Sequence, residues 1–511
     1  MYKSAKLWVL FILIILLVNS NMFIIVSGLS DGEFLGKAIV GDADYSTYIT
    51  KMKIGYEGGW QYVNKYTTEP HDSSYIFLFY LFLGHLAAIF HLDLHLTFHA
   101  ARFILAFFAL KVLYRFFQKY SDETEILPIF LLAVFISGSY NTAIDIAPQY
   151  HLYAGMMGFT HYMLTLICLL VFFDSVLDYA NRKGKGNLLK SVLALNVLAV
   201  VHPFMVVLAG LVITGTVIAT KKLAKTLPIL SISAVSSMPA MLYFFYIFTT
   251  NPALIGWRAQ AVADLPHVYH LFLYGLGSLM AYCTIVLWIK KKITIADSSV
   301  LFIVWLLTAL VLSFTNLITS PLQWFFFASV PVAYLSYKFI RYLDSKAAFK
   351  IVYKGRSVVS LLILVMLVIP TADMLFLIDH SAVYMLKHKE EFNQSIIFSE
   401  DMKCYEWLRE NADTSDIILA DERIGNIIPF VTNSITFIGH QHETLDYENK
   451  LKKVELLLDG SYTKQEAVGF LEESKIKYII YNKGEKTGYE FLTHILSGRT
   501  ITLYKYAGSK E

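Results

Sequence analysis

Twelve apolar runs dominate this chain, at roughly 7–28, 75–92, 96–117, 125–140, 161–178, 188–202, 204–220, 227–249, 268–289, 298–316, 322–338 and 357–379. A membrane-crossing helix needs about 20 predominantly apolar residues, because the hydrocarbon core is about 30 Å thick. Composition agrees with that reading. The 511 residues are 56% hydrophobic and only 16% charged, whereas soluble domains carry about 25% charge. The sequence therefore predicts an α-helical polytopic membrane protein. The first run, Leu7 to Leu29, is too long for a signal peptide core and is expected to stay as the first helix.

Basic residues decide which runs cross. Cytoplasmic loops collect Lys and Arg. The basic clusters here are Lys3/Lys6, Lys111/Arg115/Lys119, Arg182/Lys183/Lys185, Lys221/Lys222/Lys225, Lys290/Lys291/Lys292 and the stretch from Lys338 to Arg356. If all twelve runs cross, several clusters fall on the wrong side. If 75–92 does not cross, every cluster lies inside. That run contains Gly84 and His85 and is followed by His91, Asp93, His95 and His99, which suits an interfacial or re-entrant helix. About 11 spans remain, with the N-terminus cytoplasmic and the C-terminus outside. The outer face then carries the loop at 29–74, the loop at 141–160, the His202-Pro203 hairpin, and the loops at 250–267 and 316–322.

After about residue 380 charges become frequent and apolar runs short. Residues 1–379 are read as the transmembrane domain and 380–511 as a small α/β extracytoplasmic domain. Its expected strands lie at Asp416–Ala420, Ser434–Ile438, Tyr478–Tyr481 and Thr500–Tyr506, with helices at Glu400–Asn411, 443–459 and 463–474. No glycine-rich phosphate loop follows any strand, so no nucleotide is expected there. Net charge is +3, too small to imply a nucleic-acid partner. Cys168, Cys283 and Cys404 show neither metal-ligand spacing nor a disulfide framework.

The densest polar and aromatic segment follows the first span. It reads Gly41-Asp42-Ala43-Asp44-Tyr45-Ser46-Thr47-Tyr48, then Tyr56-Glu57-Gly58-Gly59-Trp60, then Asn64 to Asp72. Asp42 and Asp44 can serve as general base toward a hydroxyl, or hold a divalent cation such as Mg or Mn through oxygen ligands. They can also stabilise positive charge on a sugar ring. The plainer alternative is a helix N-cap and a solvated first-turn residue. Tyr45, Tyr48, Tyr56, Trp60, Tyr62 and Tyr66 can stack on sugar faces, although aromatics also belong at membrane interfaces.

An acidic residue just past the first helix in a D-x-x-x-Y setting, Asp44 to Tyr48, resembles the motif of the GT-C glycosyltransferases. That superfamily includes oligosaccharyltransferases, protein mannosyltransferases and aminoarabinose transferases. The resemblance implies a catalytic acid in the first outside loop, juxtamembrane helices there, and an outside soluble domain. Arg102 is similar to an arginine these enzymes carry near the start of the next helix. Asp145 stands where the second outside loop of the family adds an acid, as a supporting or metal-holding group with Asp44. The sequence departs from the family in lacking a clear WWDYG-like element. Only Glu69-Pro70-His71 matches the proline-rich element of the mannosyltransferases. The acceptor class therefore stays open.

Three further residues, His202, His161 and Arg258, are candidates for substrate binding. His202 sits at a hairpin tip beside Pro203, and His161 begins a span in Gly158-Phe-Thr-His161. Ionisable groups at membrane depth are costly and suggest function. Arg258, in Gly256-Trp-Arg258, can clamp a phosphate with paired donors. Gly439-His440-Gln441-His442-Glu443-Thr444 looks like a metal site but lacks HExxH spacing, and reads more simply as a capped helix start.

The expected activity is sugar transfer from a polyprenyl-phosphate carrier to a lipid, glycan or protein acceptor on the non-cytoplasmic face. Asp44 would be catalytic, with Asp42 and Asp145 in support, and Tyr48, Glu69, His71, Arg102, His161, His202 and Arg258 around the substrate. The lipid carrier follows from geometry, since an outside site has no access to cytoplasmic nucleotide sugars. The setting is a plasma membrane, although a lumenal face has equivalent topology. The competing reading is a lipid or polysaccharide transporter or an assembly scaffold. Internal repeats and mid-membrane charges would mark a carrier, and the sequence shows neither clearly.

Overall fold

The structure, a computed structural model, describes residues 2–36, 44–137, 151–182, 184–260, 267–315, 317–318, 320–346, 352–353, 356–483 and 489–508. Asp42 and Asp145 lie outside the described residues. The chain folds into two compact units. One comprises 1–19, 99–246 and 262–377, and the other 20–98, 247–261 and 378–511.

Among the described residues, four helices are long and apolar enough to cross a membrane: Leu94–Tyr120, Thr160–Asn181, Leu223–Thr250 and Ile363–Lys387. The first apolar run adds a fifth if its two pieces count as one span. It breaks between Tyr2–Val18 and Ser20–Ser27. There the Asn19 side-chain amide donates to the Ile15 carbonyl, at 2.8 Å. The Asn19 backbone N–H donates to the same carbonyl, the kind of side-chain competition that disturbs helices. Shorter apolar helices complete the set, among them Leu78–Phe90, Pro203–Ala219 and Leu276–Ile289. These helices make the chain a multi-pass membrane protein.

In the unit built on residues 99–246, neighbouring helices pack in pairs. Thr160–Asn181 lies on Lys185–Val201, Leu276–Ile289 and Glu123–Phe135 on Ser329–Asp344, and Pro203–Ala219 on Val300–Ser313. Phe302 stacks on Tyr334 at 4.0 Å, and Lys338 pairs with Glu125 at 2.6 Å. Pro203 is the first residue of its helix, where its missing N–H costs nothing.

The second unit holds a five-stranded sheet in the order Ile435–Thr436, Ile417–Leu419, Ile476–Asn482, Ile501–Tyr506, Leu492–Ser497. The first three strands are parallel and the last two antiparallel. Helices Ser399–Asn411, Glu422–Thr432, Tyr447–Leu458 and Lys464–Glu473 accompany it. Leu419, Ile438, Leu457, Ala467, Leu471 and Ile479 fill its core. The segment 20–98 is part of this same unit. Its strand Glu33–Leu35 pairs antiparallel with Ile396–Phe398, and the Thr436 N–H donates to the Lys65 carbonyl at 3.0 Å.

The apolar run at 75–92 forms the 13-residue helix Leu78–Phe90. At 1.5 Å per residue it covers about 20 Å, short of a bilayer crossing. It packs against Asp44–Tyr56. A Cβ on Gly84 would run into the Met52 carbonyl oxygen, and one on Gly55 into that of Leu81. The two backbones touch because both crossing residues are glycine. Overpacking a core with one side chain costs about 1–3 kcal/mol, and here the obstacle is rigid backbone. Gly84→Ala is therefore expected to destabilise the protein by at least that amount. A thermal midpoint equal to wild type in detergent would show that the helices do not approach this closely.

Candidate functional site

Asp44 is the first residue of helix Asp44–Tyr56, and the eight residues that follow it, Tyr45 to Met52, are all buried. A carboxylate in a first helical turn meets unsatisfied N–H groups and the positive end of the helix dipole. Tyr45 locks that turn. Its ring meets Phe98 edge-on at 5.1 Å, and its hydroxyl is hydrogen-bonded with His95 Nδ1 at 2.6 Å.

The partner of Asp44 is His440, whose Nε2 lies 2.9 Å from Asp44 Oδ1. The histidine side chain is 5% exposed and that of Asp44 36%. Burial alone would raise the Asp44 pKa. The hydrogen bond and charge of His440, with Lys51 and His442 behind, hold it well below the usual carboxylate range. Burial would lower the pKa of His440, but the hydrogen bond and charge of Asp44 outweigh burial and raise it. Both shifts favour the ionised pair.

The residues around His440 are tightly tied. The His440 carbonyl accepts from the N–H groups of Glu443 and Thr444, and the Gly439 N–H donates to Thr444 Oγ1 at 3.1 Å. The segment is a turn, not the start of a helix, which begins at Tyr447. Gly425 lets helix Glu422–Thr432 press onto this strand end, because a Cβ there would strike the Ile438 carbonyl oxygen. Glu443 reaches back to Lys51 Nζ at 2.6 Å and accepts from the Tyr62 hydroxyl. Its carbonyl accepts from Asn64 Nδ2 at 2.7 Å. The tail of the chain is thereby sewn to the helix that carries Asp44.

Other expected site residues are placed as follows. Tyr48 is buried and stacked on Tyr80 at 4.3 Å. Glu69 is paired with Lys450 at 2.8 Å and also accepts from Thr67. His71 Nε2 accepts from the Asn64 N–H at 3.0 Å, and its Nδ1 lies 2.8 Å from the Glu69 carbonyl. A cavity of about 20 Å³ lies beside His71, Asn251, Trp257 and Glu443, room for about one water and none for a sugar. Arg258 is exposed on helix Pro252–Gln260. Asn251, a residue the sequence did not single out, ties this helix to the first loop. It accepts from the Ala253 N–H and donates to the Asp72 carbonyl at 2.8 Å and to Ser74 Oγ.

In the other unit Arg102 is buried and donates to the Met157 carbonyl. His161 and His202 are neighbours with ring centres 4.9 Å apart, and His202 Nδ1 is hydrogen-bonded with Thr165 Oγ1 at 2.8 Å.

Asp42 and Asp145, the other acids expected to hold a cation with Asp44, lie outside the described residues. Among the described residues, no three His, Cys, Asp or Glu side chains converge to hold one. Around Asp44 the described set is one carboxylate whose Oδ1 is already occupied by an imidazole.

The signs of the two shifts set a pH window. A depressed carboxylate stabilises the fold above its unfolded pKa, about 3.9, and a raised histidine stabilises it below its unfolded value, about 6.5. The pair's contribution is thus fully present between those values. It fades as pH rises through the elevated His440 pKa, and as pH falls through the depressed Asp44 pKa. The gap in thermal midpoint between wild type and Asp44→Asn is expected to be larger near pH 5.5 than near pH 8.5. An equal gap at both would mean the pair is not ionised.

This fold, with its apolar helices and a small sheet near the C-terminus, is similar to that of two solved proteins, an oligosaccharyltransferase and ArnT. The oligosaccharyltransferase of Archaeoglobus fulgidus in its apo form superposes with a TM-score of 0.57 at 11% identity, over 94% of this chain and 70% of that one. ArnT from Cupriavidus metallidurans in the apo state gives 0.52 at 10% identity, over 99% of both chains. The same ArnT bound to undecaprenyl phosphate gives 0.51 at 12%, over 97% of this chain and 98% of that one. No protein-family model matches the sequence, and no curated protein matches it. The likeness is one of fold.

Proposed function

We propose that this protein is a membrane glycosyltransferase that moves a sugar from a polyprenyl-phosphate carrier to an acceptor on the non-cytoplasmic face. The observation that carries the reading is Asp44, a carboxylate held ionised at a helix N-terminus by a buried partner. It stands within a fold shared with an enzyme solved with undecaprenyl phosphate bound.

In the reaction, the Asp44 carboxylate takes the proton of an acceptor hydroxyl as its oxygen attacks the anomeric carbon. The bond from that carbon to the phosphate oxygen breaks, and its electron pair leaves with the polyprenyl phosphate. The proton passes from Asp44 to water once product departs. General-base catalysis of this kind requires an ionised carboxylate at neutral pH. Arg258, exposed on its helix, serves the lipid phosphate as a bidentate donor. His161 and His202, in the other unit, are candidate substrate-binding residues on the sequence alone. Tyr48, Glu69 and His71 shape the site through the contacts that already engage them, and Arg102, in the other unit, is a candidate binding residue on the sequence alone. Asp42 and Asp145, outside the described residues, are the candidate supporting acids on the sequence alone.

The test uses purified protein in liposomes supplied with a panel of polyprenyl-phosphate sugars, with and without a divalent cation. Release or transfer of one sugar is the expected result and names the donor. No turnover with any donor, together with no donor-dependent rise in thermal midpoint, would overturn the enzyme reading in favour of a transporter or scaffold.

A further inference from the structure

We propose that His440, supplied by the C-terminal part of the chain, is the positioning residue for Asp44, holding its carboxylate at one rotation through the hydrogen bond from Nε2 to Oδ1. The inference rests on the glycosyltransferase reading and adds a residue to its machinery.

Three observations carry it. The contact is short and buried on the histidine side, at 2.9 Å with the ring 5% exposed. Surface ion pairs of long, solvated side chains add little and fix little, but this ring has no solvent to turn into. Second, His440 Nδ1 is buried without a hydrogen-bond partner among the described residues. A buried imidazole satisfied on one nitrogen only calls for a reason other than its own stability. Aiming Nε2 at Asp44 supplies one, because that is the bond the ring does make. Third, the ring is set in advance. Its own carbonyl accepts two backbone N–H groups, and Glu443, three residues on, is anchored by Lys51, Tyr62 and Asn64. Groups that orient a reacting carboxylate act only if they are themselves held.

The chemistry follows from geometry. A half-buried carboxylate at the start of a helix has more than one rotation about its side-chain bonds. The bond from His440 Nε2 to Oδ1 favours one of them, so the group meets the acceptor hydroxyl in that orientation. His440 touches neither sugar nor acceptor in this arrangement and acts through Asp44.

The experiment compares wild type, His440→Ala, His440→Gln, Asp44→Asn and the double variant Asp44→Asn/His440→Ala in the liposome assay, each checked for its thermal midpoint. His440→Ala is expected to lower kcat by roughly 100-fold, the size of a small misplacement of a reacting group, with KM for the donor within about twofold of wild type. His440→Gln keeps a side-chain N–H donor and is expected to recover at least a tenth of wild-type kcat. The double variant should be no slower than Asp44→Asn alone, since a residue acting through Asp44 has nothing left to orient. If wild type transfers sugar and His440→Ala keeps full kcat, the inference falls and the reading stands. If the two losses multiply and glutamine rescues nothing, His440 is merely structural and the inference also falls. The double variant decides this even where alanine lowers the midpoint. If wild type transfers from no donor, reading and inference fall together.

Discussion

Asp44→Asn is expected to reduce sugar transfer by about 10²–10⁴-fold, the usual worth of a positioned general base, while the protein still folds. Asparagine is nearly isosteric and keeps an oxygen that can accept from His440 Nε2, which sits 2.9 Å from the carboxylate. Helix Asp44–Tyr56 is buried along its next eight residues, so its position does not depend on that one side chain. What the substitution removes is the negative charge and the ability to take a proton. The loss should therefore appear in kcat, with donor affinity little changed, because donor binding is assigned to Arg258 and not to Asp44. Restoring the carboxylate as Asp44→Glu should recover only part, since the longer side chain overshoots the fixed imidazole. Wild-type turnover by Asp44→Asn would remove this residue from the chemistry. The Asp44-based mechanism would then have to be abandoned, whatever the fold resembles.

The sequence reveals the apolar helices and the sheet better than the contacts around Asp44, for physical reasons, although only four helices, or five with the bent first run, are long and apolar enough to cross among the described residues. Apolar length and basic loops are local signals, and so is alternation in strands. The expected strands at 416–420, 434–438, 478–481 and 500–506 coincide with Ile417–Leu419, Ile435–Thr436, Ile476–Asn482 and Ile501–Tyr506. Helix Glu422–Thr432 escaped notice because it contains Gly425 and Pro429, both helix breakers in isolation. It forms because Asp421 caps it, accepting from the Ile424 N–H at 2.8 Å, and because Gly425 is needed for close approach to Ile438. Strand Leu492–Ser497 escaped because its faces do not alternate cleanly between buried and exposed.

At the candidate site, the sequence offers Asp44 from its place after the first span. It does not offer His440 as its partner. Nothing in a linear pattern says that residues near 440 return to residue 44, and the two imidazoles and one carboxylate in that segment suggest a metal site instead. The three-dimensional answer divides them. His440 goes to Asp44 and Glu443 goes to Lys51. Glu69 and His71, expected beside the substrate, are in contact with Lys450 and Asn64, which a linear pattern also does not show. Asn251 reads as an ordinary loop residue, yet it fastens the helix bearing Arg258.

The clasp between Lys51 and Glu443 makes the second large prediction. Their side chains are 2% and 6% exposed and 2.6 Å apart. Lys51 Nζ also donates to Thr47 Oγ1 at 3.1 Å and lies 3.9 Å from the Phe77 ring centre. Glu443 holds the Tyr62 hydroxyl, whose pKa burial and the adjacent carboxylate push well above its ordinary value. Removing one member of a buried pair strands the other charge and costs about 3–5 kcal/mol. Lys51→Met is therefore expected to destabilise the protein by that amount, far beyond the roughly 0–1 kcal/mol of an exposed pair. The double variant Lys51→Met/Glu443→Gln should recover much of the loss, because no unpaired charge remains. Activity should fall with the single variant too, as the turn carrying His440 loosens, and limited proteolysis should cut first near residue 440. A single variant no less stable than wild type would mean that water reaches the pair. The clasp would then not hold the turn that places His440 on Asp44.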